Sequence, residues 1–210
     1  RRAHPSHGQM EAARARLPAH AYREEVVRLV AGHQVVLISG ETGCGKTTQV
    51  PQFILDDPEI GPGASIVCTQ PRRISAIGVA ERIAAERCEP LGKVVGFAVR
   101  SESSISATTQ LSFVTPGLLL RRLASDPQLE RYTHVIIDEV HEQDKYSEFM
   151  LILLRRLLVK VRRTLSSSSS FFFFFLLLFG ARHLHTVFFL FFLKRAELRL
   201  IDRWSVLTSF

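Results

Sequence analysis

Eight residues in the first quarter of the chain, Gly40-Glu41-Thr42-Gly43-Cys44-Gly45-Lys46-Thr47, fit the spacing G-x-x-x-x-G-K-[ST]. The chemistry this spacing serves is phosphate binding. Glycines let backbone N–H groups turn inward around phosphate oxygens, and a following helix aims its positive end at them. Lys46 is placed to reach the β- and γ-phosphates of a nucleoside triphosphate, and the Thr47 hydroxyl to ligand Mg²⁺. The run from Gly40 through Thr48 is the candidate nucleotide-binding stretch. A chance glycine turn would lack the context present here. The apolar run Val35-Val36-Leu37-Ile38 precedes the loop as a buried strand, and a helix from about Lys46 to Leu55 follows it.

Asp138-Glu139 stands directly after Val135-Ile136-Ile137. Acids at the C-terminal end of a buried parallel strand face the crevice where α/β sheets bind ligands. There Asp138 would hold Mg²⁺ and Glu139 would polarise the attacking water as general base. Thr47, Asp138 and Glu139 form the candidate metal set; Glu139 and Lys46 are the candidate catalytic groups. On an isolated strand the bland reading, a solvated charge pair, would win. A phosphate loop upstream reverses that balance.

These residues need elements to hold them. Short apolar runs read as strands at Ser65–Thr69, Val94–Val99, Leu111–Val114 and His134–Ile137. Helical patterns fall at Tyr22–Val30, Ile74–Arg87, Gly117–Ala124 and Tyr146–Val161. Alternation of buried strands with helices implies an α/β fold, a mostly parallel sheet flanked by helices. Residues 1–17 show no periodicity and read as a flexible lead-in, with the domain spanning 18–163.

The segment Asp138-Glu139-Val140-His141-Glu142 resembles motif II of the DEAH/DExH RNA helicases, superfamily 2 enzymes built on paired RecA-like domains. Residues 40–49 resemble that family's motif I. Thr69-Gln70-Pro71-Arg72-Arg73-Ile74-Ser75-Ala76 resembles motif Ia, and Phe113-Val114-Thr115-Pro116-Gly117-Leu118-Leu119-Leu120-Arg121 resembles motif Ib. The four motifs occur in the family's order over residues 17–163. The resemblance implies ATP and Mg²⁺ at the loop, and RNA-backbone contacts from Arg72, Arg73 and Thr115. It implies stacking of Arg82 on the nucleobase, and a role for His141 in coupling the nucleotide site to the RNA-facing motifs. Two positions depart from the pattern: Pro116, where Thr or Asp is more frequent, and Gln143, where Arg is usual. The second departure removes any salt link that arginine makes. Without the motifs, Arg73 and Arg82 would read as ordinary surface arginines.

The chain has 210 residues and a net charge of +7, enough for one good-sized domain. Charge this diffuse is compatible with a phosphate-rich partner and establishes none. Arg155, Arg156, Lys160, Arg162 and Arg163 read as a solvated helix face. Cys44, Cys68 and Cys88 lack metal-ligand spacing, so the expectation is a reducing compartment, cytoplasmic or nuclear. Eleven of the fifteen Phe lie between Phe171 and Phe210. Ser166–Ser170, Phe171–Phe175 and Leu176–Leu178 share all-pyrimidine codons, so residues 164–210 read as an aberrant, intron-derived or out-of-frame tail that packs badly. Its apolar runs of nine and seven residues fall short of the roughly 18–20 that span a membrane, so no membrane partner is expected. The family's Ser-Ala-Thr motif and second RecA-like domain are not read here. The expectation is an ATP-dependent RNA helicase by lineage, inactive as this fragment alone. The competing readings are a catalytically dead nucleotide-binding fragment and a non-helicase phosphate-loop NTPase such as a small-substrate kinase.

Overall fold

The computed structural model describes residues 5–142, 144–163, 187–192 and 204–207. Strands β1 (Val35–Ser39), β2 (Ile66–Thr69), β3 (Val95–Val99), β5 (Leu111–Val114) and β6 (His134–Ile137) run in one direction. β2, β3, β5 and β6 are buried along their whole length, which is why they read as continuous apolar runs rather than alternating ones. Helices α2 (Arg23–Gly32), α3 (Lys46–Asp56) and α4 (Arg73–Glu86) cover one face, packing Leu29, Phe53 and Ile83 against Ile38, Ile66 and Phe113. Helices α5 (Pro116–Ser125) and α6 (Lys145–Arg163) cover the other, with Leu119, Met150 and Leu154 against Leu37, Val67 and Ile137. The result is a three-layer α/β/α arrangement with one core on each side of the sheet.

Sheet order is β4-β3-β5-β2-β6-β7-β1-β8. β4 (Glu102–Ser104) is a short polar strand antiparallel to β3 at one edge. Its sequence carries no apolar alternation, so nothing in it signals a strand. β7 (Val187–Phe192) lies antiparallel between β6 and β1, and β8 (Trp204–Leu207) pairs parallel with β1. The backbones of these two segments of residues 164–210 thus pair with the sheet. The Ser/Phe run itself lies outside the described residues. Phe189 of β7 sits opposite both Leu37 and Ile137, so β6 ends level with Leu37 and the C-terminal ends of β1 and β6 lie within two residues of one another.

The lead-in before the domain contains a helix. Helix α1 (Pro5–Ala15) occupies most of residues 1–17, and a 3-10 turn follows at Pro18–Tyr22. Its sequence, PSHGQMEAARA, holds little apolar patterning, so the helix depends on what it touches. Arg14 Nε donates to Gln49 Oε1 at 2.9 Å, and Arg14 Nη2 donates to Asp56 Oδ2 at 3.2 Å. Beneath them the buried Glu86 carboxylate accepts from Gln49 Nε2 (3.0 Å), Gln52 Nε2 (2.8 Å) and Arg82 Nε (2.8 Å). This network ties α1, α3 and α4 together at one end.

Asp56 belongs to the same cluster. Burial raises its carboxyl, but Arg87 and Arg14 outweigh that and leave it below its ordinary value. Its contribution to stability is thus present above the ordinary carboxylate range and lost as pH falls through the lowered value. Removing the shared carboxylate by Glu86→Ala leaves one N–H each of Gln49 and Gln52 buried without its acceptor and is expected to lower the unfolding free energy by about 2–4 kcal/mol. Arg14→Ala, at the edge of the network, should cost about 1–2 kcal/mol. Urea unfolding of the two variants measures both; equal small losses would rule out Glu86 as the hub.

Candidate functional site

Parallel strands put their C-terminal ends on one edge of the sheet. Along that edge the order β5, β2, β6, β7, β1 brings together the loops beginning at Thr115, Gln70, Asp138 and Gly40. All four sequence motifs therefore meet on one rim.

The loop after β1 closes on itself. Gly43 and Gly45 take φ of +84° and +101°, left-handed backbone that disfavours any residue with a Cβ. Space is tight at Gly45 as well, since a Cβ there would lie 3.2 Å from Leu17 Cδ1 and from Gln49 Cγ. Leu17 and the turn after it brace the loop from outside, with Ala19 N–H donating to Cys44 C=O at 3.0 Å. Lys46 opens α3 and is 3% exposed. Its Nζ folds back to donate to Gly40 C=O and Glu41 C=O, both at 2.7 Å, and lies 3.3 Å from Cys44 Sγ. The ammonium is thus held over the centre of the loop. Thr48 Oγ1 donates to Gly45 C=O at 3.3 Å, pinning the first turn of α3; Thr42 is exposed on the loop.

At the end of β6, Asp138 is 1% exposed. Its Oδ2 accepts from Thr47 Oγ1 at 2.6 Å and from Gln70 Nε2 at 2.6 Å; its Oδ1 accepts from Glu139 N–H at 2.8 Å. Burial pushes this carboxyl above its ordinary value, while Thr47, Gln70, the Glu139 amide and the Lys46 charge pull the other way. Glu139 follows at φ +54°, a left-handed conformation that costs a non-glycine residue about 1–3 kcal/mol and recurs at functional sites. Val140–Glu142 forms a 3-10 turn, which contains the backbone of His141. Gln143 lies outside the described residues.

A hydroxyl and a carboxylate at 2.6 Å are hard oxygen donors suited to Mg²⁺, which takes few protein ligands and completes its shell with phosphate and water. Among the described residues no group of three or more His, Cys, Asp or Glu could form a protein-only cage. Thr47 and Asp138 with a phosphate loop beside them therefore fit a metal–nucleotide pair, and Lys46 and the loop amides fit its phosphates.

The expected RNA-facing residues gather farther along the rim. Arg72 is exposed and its Nη2 donates to Glu142 Oε1 at 3.2 Å. Arg73 is exposed and donates to Ser101 Oγ. Thr115 is half-buried at the N-terminus of α5. Arg82 stands apart from the phosphate loop on the surface of α4, bonded to Glu86 and through it to Gln49 of α3. On the basic run of α6, Arg156 is exposed and Arg155 half-buried. Sequence alone singles out neither Gln70 nor Glu86. An amide next to a buried strand end was the available signal for Gln70, but its partner lies 68 residues away. Two clefts, of about 600 and 360 Å³, open around His20 and Arg23 and include none of these residues.

Strand order, phosphate loop and strand-end acids define an α/β phosphate-loop domain with a metal-ready carboxylate. The DEAD/DEAH box helicase model matches residues 21–172, and the chain belongs to that family. Mouse DHX57 is 56% identical over 142 residues, covering 66% of this chain and 10% of its own length. The DExH-box ATP-dependent RNA helicase DExH1 of Arabidopsis thaliana is 52% identical over 150 residues, 70% of this chain and 15% of its own. The ATP-dependent DNA/RNA helicase DHX36 of rat is 44% identical over 157 residues, 72% of this chain and 16% of its own. This chain spans a small part of the length of the curated relatives it matches.

The Asp138 geometry carries a pH signature. A carboxyl raised on folding binds its proton more tightly in the native state, so stability falls as pH rises from the ordinary carboxylate range through the raised value. In Asp138→Asn this component disappears. Thermal melts of parent and variant across pH 4 to 7 (roughly the span of a raised carboxyl) should show the parent losing relative stability with rising pH. Parallel curves would contradict the assignment.

Proposed function

We propose that this chain carries the ATP-binding half of an RNA helicase motor, with nucleotide on the β1–β6 side of the rim and RNA backbone on the β2–β5 side. The observation that carries the reading is the 2.6 Å contact between Thr47 and Asp138, which joins the phosphate loop to the strand-end acid across 91 residues of sequence. In this reading the amides of Gly43 to Thr48 surround the β- and γ-phosphates. Lys46 exchanges its carbonyl partners for phosphate oxygens, and Thr47 and Asp138 hold Mg²⁺. When bound, that ion neutralises charge on the phosphate oxygens in flight. Glu139 takes the proton from the attacking water, its strained backbone holding the carboxylate over the crevice. Arg82, steadied by Glu86, offers a flat cationic surface to the base. His141 sits between the acid pair and Glu142, the residue that reaches Arg72.

Arg72, Arg73 and Thr115 supply two guanidiniums and a hydroxyl on one rim, donors suited to phosphates and indifferent to sequence. Cys44, Cys68 and Cys88 form no disulfide, which fits a reducing compartment, cytoplasmic or nuclear. No helix among the described residues is long and apolar enough to cross a membrane.

Titration of the purified chain with a fluorescent ATP analogue tests the nucleotide half. Lys46→Ala should weaken binding about tenfold or more, the value of a lost charge-assisted contact. Equal weak signals from parent and variant would mean that the loop is no working site. Single-stranded RNA binding tests the other half and separates a helicase from a small-substrate NTPase. Arg72→Ala should weaken binding alike for unrelated sequences and reduce the salt slope by about 0.7. RNA binding unchanged in Arg72→Ala would refute that assignment.

A further inference from the structure

Two contacts cross from the loop after β2 to the acids after β6. One is the exposed Arg72–Glu142 pair; the other is buried, Gln70 Nε2 to Asp138 Oδ2 at 2.6 Å. Gln70 is 3% exposed, and its own amide N–H donates to Val114 C=O at 2.8 Å, fixing its backbone to β5. Its side chain thus projects from a backbone pinned on one side to reach an acid on the other.

We propose that Gln70 is a positioning residue for Asp138, and the strut that ties the Arg72 loop to the metal-holding carboxylate. The proposal rests on the nucleotide-site reading above. Asp138 must keep one rotamer and its charge while nearly dry. A carboxylate can turn about its last bond unless both oxygens are held. Glu139 N–H fixes Oδ1 from the adjoining residue, and holds it only while the carboxylate keeps this rotamer. Thr47 fixes Oδ2, but from a loop that must also receive phosphate. Gln70 is the third donor, anchored in the sheet and independent of that loop. Partners that orient a metal-binding carboxylate in this way typically change metal affinity by about 10–100-fold when lost. Gln70 stands two residues before Arg72, so the strut joins the anchored base of that loop to Asp138.

The test uses the whole chain with Gln70→Ala and Gln70→Met, the second preserving most of the volume while deleting the donor. Without nucleotide, amide hydrogen exchange at Glu139, whose N–H is bonded to Asp138 Oδ1, should accelerate about tenfold in both variants. Exchange in β5 should stay as in the parent. In the second measurement, the gain in affinity for a fluorescent ADP analogue on adding Mg²⁺ over EDTA should shrink about tenfold in both, with metal-free affinity unchanged. Unchanged exchange at Glu139 overturns the proposal, as does acceleration spread over the sheet. Parent-like behaviour of Gln70→Met beside a defective Gln70→Ala also overturns it, since the role would then be packing. If the parent itself shows no Mg²⁺-dependent gain, the nucleotide-site reading fails, and exchange at Glu139 alone decides whether Gln70 positions Asp138.

Discussion

A carboxylate at the dry end of a central strand is penalised for the charge it must carry. Asp138 is held in that condition, and much of the site can be read as the means of holding it. Leaving such a charge unpaired costs about 3–5 kcal/mol, and each hydrogen bond to it returns about 1.5–3 kcal/mol. Three donors converge on the group, from α3, from the loop after β2 and from the backbone of Glu139. Burial still leaves its pKa raised. The residual cost is an unmet demand for positive charge at the place where Thr47 and the phosphate loop open. A cation beside Thr47 would offset that cost.

The same demand explains the strain around it. Thr47 can reach Asp138 only if the ends of β1 and β6 lie nearly level and the intervening loop turns sharply, which the left-handed Gly43 and Gly45 permit. Glu139 departs from β6 in a left-handed conformation that a free chain would avoid. Strands buried on both faces bear these costs, since a sheet end anchored in two cores cannot relax toward the loop's preference. Leu17 and Ala19 close the loop from the outside, so the segment before the domain's first strand is part of the site's support.

What sequence made legible follows from how local each cause is. The strand–loop–helix around Lys46 and the acids after Ile137 announce themselves within about ten residues, because apolar runs, glycines and strand-end charges are short-range signals. Strands β5 and β6 have the bounds that their apolar runs gave. Helix α1 escaped because Gly8 and a polar surface blur its period, and its anchor is Arg14 reaching 35 and 42 residues ahead. β4 escaped because an edge strand of Glu102, Ser103 and Ser104 has no buried face to encode. Gln70 and Glu86 escaped for a related reason. A buried polar group is specified by its partners, and apart from Arg82, one helical turn from Glu86, those partners are 34 to 68 residues distant.

Burial also sorts the two ties between the β2 loop and the β6 loop. Arg72 is 72% exposed on its side chain, and an ion pair so placed contributes about 0–1 kcal/mol and weakens with salt. A phosphate oxygen offers the same guanidinium an equal or better partner, so that tie is exchangeable at little cost. The amide–carboxylate tie beneath it is dry, short and charge-assisted, and nothing from solvent can substitute for it. One loop is therefore joined to the acid-bearing turn by an outer contact that a polyanion can take over and an inner contact that it cannot. That difference in replaceability is set by depth alone, since the two contacts leave the same loop two residues apart.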